Sequence, residues 1–144
     1  MPHTWLLILH LLGASIWVGG HLVLLLTVLP GALKARDAER ILAFERGYER
    51  IGLPALIVQA VTGLMLAHHY VPGIIDAFTF SDRLQAIVAI KVLLLAATVL
   101  IGAHARLRVI PRLTPDRLRG HAVHISLVTA LAVALLVHGS LVRA

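Results

Sequence analysis

The sequence predicts an all-α integral membrane protein, a four-helix bundle forming one transmembrane domain over residues 1–144, with both termini on the outer, periplasmic side. Three observations carry this. The composition is 59% hydrophobic with a mean hydropathy of +0.91, leaving too few polar residues to cover a soluble domain of this length. The apolar residues gather in four runs long enough to cross a hydrocarbon core, which takes about 20 helical residues. The basic residues are divided unequally between the two ends of those runs, which sets an orientation.

The first helix is expected from about Thr4 to Leu29, stopped by Pro30-Gly31, a breaker pair. It has neither a basic leader nor a small-residue cleavage site, so it reads as a retained helix rather than a signal peptide. The second spans about Arg50 to Tyr70 and ends before Pro72-Gly73. The charged stretch from Lys34 to Arg50, with Phe44 and Tyr48 on its apolar side, either extends that helix into water or lies on the membrane surface. The third helix covers about Asp82 to Ala105 and the fourth about Leu118 to Val142. Between them a basic segment, Arg106 to Arg119, carries Pro111 and Pro115 and is expected to be irregular.

Lys34, Arg36, Arg40, Arg46, Arg50, Arg106, Arg108, Arg112, Arg117 and Arg119 all fall on one side, and only Arg83 and Arg143 on the other. The positive-inside rule puts the basic side in the cytoplasm of a bacterial inner (cytoplasmic) membrane crossed several times. The same distribution explains the net charge of +6 as a topology signal, so no nucleic-acid partner is expected; the lipid bilayer is the first partner. Cysteine is absent, which excludes disulfides, iron–sulfur clusters, thiolate metal sites and covalent c-type haem attachment.

The nine histidines are the feature that points to chemistry. With helices alternating in direction, they gather at two depths. The outer layer holds His10, His68 or His69, and His138; the inner layer holds His21, His104, His121 and His124. His10 and His21 share a helix face to within about 20° and stand about 16 Å apart along the axis. His124 and His138 lie within about 40° of each other and about 21 Å apart. Antiparallel packing brings His10 level with His138, and His21 level with His124. Two helices bearing two such histidines each would clamp two stacked b-type haems, each iron held by imidazoles from opposite sides, a geometry suited to electron transfer. Histidines at helix ends, such as His3, His68 and His121, are more often interfacial or capping residues than ligands. His10, His21, His124 and His138 sit inside apolar runs, where ionisable residues are costly and usually functional. Whether His69 and His104 replace His138 and His124 as ligands is left open by spacing alone.

Other polar residues interrupt the spans. Lys91 lies about two turns into the third helix, either snorkelling outward or meeting a carboxylate, a haem propionate or a quinone oxygen within the bundle. Gln59 and Thr62 mark one face of the second helix, and His69 falls on the Thr62 side. Trp17 lies between His10 and His21, with Gly13, Gly19 and Gly20 nearby. Those small residues serve either plain helix packing or the approach of a flat macrocycle.

Several segments resemble the CopD-like superfamily of bacterial membrane proteins, named for copper resistance. They are Leu9-His10-Leu11-Leu12 leading to Trp17-Val18-Gly19-Gly20, then Arg50-Ile51 with Pro54-Ala55 and Thr62-Gly63. Lys91-Val92-Leu93-Leu94 follows, running to Arg106-Leu107-Arg108 and Pro111-Arg112-Leu113. The resemblance covers the first three helices; the fourth is similar only in hydrophobicity. It implies a four-helix membrane fold and a link to copper. The same superfamily includes HemJ-type protoporphyrinogen oxidases, similar to this chain at His10, Trp17, Gly20, Pro54-Ala55, Lys91 and His104. The chain departs from them at His21-Leu22-Val23-Leu24 and in lacking their Asn-Glu-x-Pro pattern in the fourth helix.

Three functions are therefore weighed. The leading expectation is a membrane b-type cytochrome with two bis-histidine haems, passing electrons between the quinone pool and a redox partner or small oxidant. The second is copper transport or resistance, weakened by the ligand inventory, since Cu(I) prefers thiolate and thioether donors and Met65 is the one methionine besides the first residue. The third is porphyrinogen oxidation. No catalytic residue is singled out. Turnover of its own would make the chain a quinone-linked oxidoreductase, with His68, Lys91 or Asp82 as the outer proton acceptor. A homo-oligomer is compatible with all three.

Overall fold

The protein is described here by a computed structural model covering residues 2–141, with side chains from residue 4 onward. Val142, the expected end of the fourth helix, and Arg143 lie outside the described residues, as does the side chain of His3.

Four long apolar rods run back and forth, each long enough to cross a membrane. The first is α1 (Pro2–Val23), a π turn (Leu24–Val28) and α2 (Leu29–Ala35) joined without a break. Pro30-Gly31 therefore does not end the helix. Proline lacks an N–H, and its ring crowds the carbonyl four residues back. The wider π turn just before Pro30 relieves both problems, and the helix resumes. The rod stops at Arg36, which turns left-handed at φ 52°. The next amide, of Asp37, then reaches back to the Ala32 carbonyl at 2.9 Å, satisfying the helix end.

The second rod is α3 (Ala38–Tyr70), 33 residues without interruption. The Lys34–Arg50 stretch thus divides between the two rods, and most of it extends the second helix rather than lying flat. Asp37 starts α3 by accepting from the Arg40 amide at 3.3 Å. The third rod is α4 (Arg83–His104), capped by Asp82, whose Oδ1 accepts from the Gln85 amide at 2.8 Å. It too runs on, through a π turn (Ala105–Val109) and a 3-10 turn (Ile110–Arg112), and with a second 3-10 turn (Pro115–Arg117) leading into the next helix nearly all of the expected irregular segment is helical. Again the π turn precedes a proline, Pro111. The fourth rod is α5 (Leu118–Ser140).

α1 packs most extensively on α3, α4 on α5, and α1 on α5 joins the two pairs, whereas α3 and α4 barely touch. The bundle is therefore open along one seam. Three apolar clusters fill it in series. At the basic end Leu24, Leu29, Ala32, Ile41, Leu118 and Ile125 pack together. In the middle stand Trp17, Val18, Val128 and Ala132. At the opposite end Val71 and Ala77, from the connection between α3 and α4, cover Val88 and Ala89. Leu26, Leu100 and Val123 are among many large apolar side chains left exposed on the outside. For a bundle solvated by lipid tails that exposure carries no penalty.

Small residues decide how closely α1 meets α3. A side chain's first carbon at Gly13 would stand 2.8 Å from the Ala55 carbonyl oxygen, closer than real carbons approach. At Gly20 it would run into the ring of Tyr48.

Candidate functional site

Between the apolar clusters the bundle holds two cavities, each of about 380 Å³, within the range of small-molecule and cofactor sites, roughly 300–1,000 Å³. Both are walled by all four rods. They are stacked along the bundle axis, the first toward the Ser140 end of α5, the second toward the basic end.

The first cavity has His10 from α1, Gln59 from α3 and Lys91 from α4 on an otherwise largely apolar wall. The His10 imidazole packs against Gly63. Its Nδ1 lies 2.9 Å from the Gln59 carbonyl oxygen and 3.3 Å from Thr62 Oγ1. The Thr62 hydroxyl already donates to the Val58 carbonyl at 2.6 Å, so both oxygens accept and Nδ1 carries the proton. That tautomer leaves the Nε2 lone pair of His10 available. The Gln59 side chain is only 7% exposed, and its Oε1 has no hydrogen-bond partner.

The second cavity takes His21 from α1 and His124 from α5, with Trp17, Tyr48, Glu45 and Arg106 also on its wall. Each of these histidines turns its Nδ1 back to a carbonyl one helical turn earlier, His21 to Trp17 at 2.9 Å and His124 to Gly120 at 3.2 Å. Nδ1–H donation to a backbone carbonyl is the arrangement that fixes an imidazole for metal binding through Nε2. Tyr48 holds this region together. Its hydroxyl donates to the Ile16 and Trp17 carbonyls at 3.0 and 3.2 Å, and its ring meets His21 edge-on with centroids 5.9 Å apart. The buried Trp17 Nε1–H lacks an acceptor. At the mouth Arg106 pairs with Glu49 at 2.6 Å, an ion pair bridging α3 and the continuation of α4 across the open seam.

The sequence-derived candidates fall out unevenly. His21 and His124 line one cavity, and His104, though exposed, stacks on His124 with centroids 5.4 Å apart and planes 19° from parallel. His10 lines the other cavity. His138 does not share that wall; its Nε2 is buried without a hydrogen-bond partner. His68 and His69 are exposed at the end of α3, where the His69 ring meets Tyr70. His121, expected as an interfacial residue, is instead 2% exposed in the helix interface, both ring nitrogens unpartnered. Asp82 caps α4 and does not line the first cavity. Among the described residues no group of three or more His, Asp or Glu side chains stands ready to hold a metal ion. Tyr48, Glu45 and Glu49 fall in the charged stretch from Lys34 to Arg50 and are not among the sequence-derived site candidates. The signal for them was the seven-residue apolar spacing from Ile41 to Tyr48, which carries the inward face of α3 beyond the membrane run.

The profile of the family described as CopD, copper resistance protein D, matches residues 42–142, well over half of the chain. No curated protein and no solved structure matches.

Proposed function

The chain belongs to the copper resistance protein D family, and from that premise we propose that it serves copper resistance as a single multi-pass membrane domain holding a redox metal at the second cavity. The observation that carries this reading is the pair His21 and His124, which reach one cavity from two helices with Nδ1 engaged and Nε2 free. The basic end, in this reading, faces the cytoplasm.

Two forms of the metal follow from the donors. An iron porphyrin brings four nitrogen ligands of its own and asks the protein for one or two imidazoles and an apolar slot, which is what the wall offers. His21 and His124 would hold such a group, with Trp17 Nε1–H and Arg106 as polar contacts, and it would supply one-electron transfer with a quinone or another redox partner. The two Nδ1-engaged imidazoles and the orphan Trp17 Nε1–H support that reading. A second porphyrin in the first cavity would rest on His10, since His138 is not on that wall.

The second form is copper itself, favoured by the family and by the stacking of His104 on His124. Imidazole suits Cu(II), and an ion at His124 would draw in His104 or His21 as further ligands.

One preparation decides between them. The purified chain is examined by visible spectroscopy and by elemental analysis, beside His21→Ala and His124→Ala. A Soret band with iron, lost in either variant, supports the porphyrin. Copper without a Soret band, lost in the same variants, supports the ion. Neither metal, or metal retained in both variants, overturns the site. Copper tolerance unchanged in a strain lacking the gene would overturn the role.

A further inference from the structure

The first cavity contains a positive charge that the protein leaves uncompensated. Lys91 lines it from α4, and its ammonium rests against Gly139 of α5, Nζ standing 3.3 Å from where a side chain would begin. No acidic residue is on the wall, and no carboxylate among the described residues pairs with Lys91. A lysine in a membrane helix ordinarily snorkels to the surface or finds an anion. This one finds no anion: its ammonium stands half-buried on the cavity wall beside Gly139, toward the Ser140 end of α5. A second polar group looks into the same space: Gln59, more than nine-tenths buried, has no partner for Oε1. Buried polar atoms are nearly always bonded, so an orphan on a cavity wall marks a partner that is not protein. Since the oxygen and nitrogen of a glutamine amide are interchangeable by rotation, Gln59 offers a donor or an acceptor. The free Nε2 of His10 is a third polar group there; Tyr70 and Ser140, whose hydroxyl donates to the Val137 carbonyl, also reach the wall, and the rest is mainly Leu, Val and Ala.

The geometry points to the first cavity as a binding site for an amphiphile with an anionic oxygen head group, a carboxylate or a phosphate, held by Lys91 beside Gln59, with its apolar body along the leucine and valine wall. A neutral carbonyl compound satisfies the hydrogen bonds but leaves the ammonium uncompensated in a low dielectric, which is why the head group is an anion. The thin contact between α3 and α4 gives such a molecule a way in from the bilayer. The site is independent of a metal at the second cavity, since it uses no residue of that wall, and either stands if the other fails; in the first cavity the amphiphile takes the place a second porphyrin would occupy.

The test uses the full chain in neutral detergent micelles, with cis-parinaric acid, a fluorescent long-chain carboxylate, as probe. Its methyl ester is the neutral control, and energy transfer from tryptophan reports binding. The acid is expected to saturate, with the ester roughly tenfold weaker or more, about what one charge-assisted contact contributes. Lys91→Met is expected to bring the acid down to the ester, and Lys91→Arg to retain most of the preference. Competition identifies the head group: oleate and oleyl phosphate are compared, and the stronger competitor names it. Equal binding of acid and ester to the unaltered chain overturns the proposal, as does oleyl alcohol competing as well as oleate. The acid-against-ester comparison decides alone if Lys91→Met does not fold.

Discussion

Replacing Gly20 by alanine tests how the second cavity is held in shape. The new methyl would occupy space taken by the Tyr48 ring. The ring cannot swing aside freely, because Gly52 backs it, Phe44 stacks on it with centroids 5.6 Å apart, and its hydroxyl is tied to two carbonyls of α1. Overpacking of this kind costs about 1–3 kcal/mol. Dragging the hydroxyl from its acceptors adds about 0.5–1.5 kcal/mol, so Gly20→Ala is expected to destabilise by about 2–4 kcal/mol. Tyr48→Phe removes only the hydroxyl and should cost about 1 kcal/mol. The decisive measurement is a double-mutant cycle, by SDS-titrated unfolding in mixed micelles, of Gly20→Ala with Tyr48→Ala. Once the ring is gone the methyl has room, so the two changes should couple by about 1 kcal/mol or more. Additivity within about 0.5 kcal/mol would refute the argument that Gly20 is glycine for the sake of Tyr48.

Other consequences are open to the same unfolding assay. His121→Leu should stabilise the protein by about 1–3 kcal/mol, because both imidazole nitrogens are buried without partners; destabilisation would mean that the ring is bonded after all. Asp82→Ala should cost about 1 kcal/mol and Asp37→Ala less, following their 2.8 and 3.3 Å capping bonds; the reverse order would count against reading these distances as strengths. The Glu49–Arg106 pair, with side chains 36% and 51% exposed, should show a coupling below about 1 kcal/mol in a Glu49→Gln/Arg106→Gln cycle. A clearly larger value would mean that this end of the seam is drier than its exposure indicates.

Hydropathy made the four rods legible, since length and apolarity alone decide what crosses a membrane. Their ends were harder to read. Pro30 and Pro111 are breakers by local chemistry, yet a π turn before each lets the helix pass, and nothing in residue identity announces a π turn. The histidines were readable by depth and only partly by direction. Helical arithmetic says which residues share a face, not toward which neighbour that face turns. α1 meets both α3 and α5, and so His21 with His124 reached one cavity while His10 and His138 did not. His121 shows the same limit: on α5 the buried face runs through Leu118, His121 and Ile125, a stripe readable as apolar only if the histidine is counted with it. The resemblance seen in residues 9–20 lies outside the matched profile. The fourth helix, similar only in hydrophobicity, lies within it.

The open seam has a meaning for how the chain is made. α1 with α3 and α4 with α5 are contacts between rods adjacent in sequence, so each can form as soon as its second helix leaves the ribosome, while the contact of the first rod with α5, as extensive as that of α4 with α5, waits for the whole chain. Membrane insertion can then proceed as two successive hairpins that dock later through α1 and α5, with the connection near Gly73 acting as a tether.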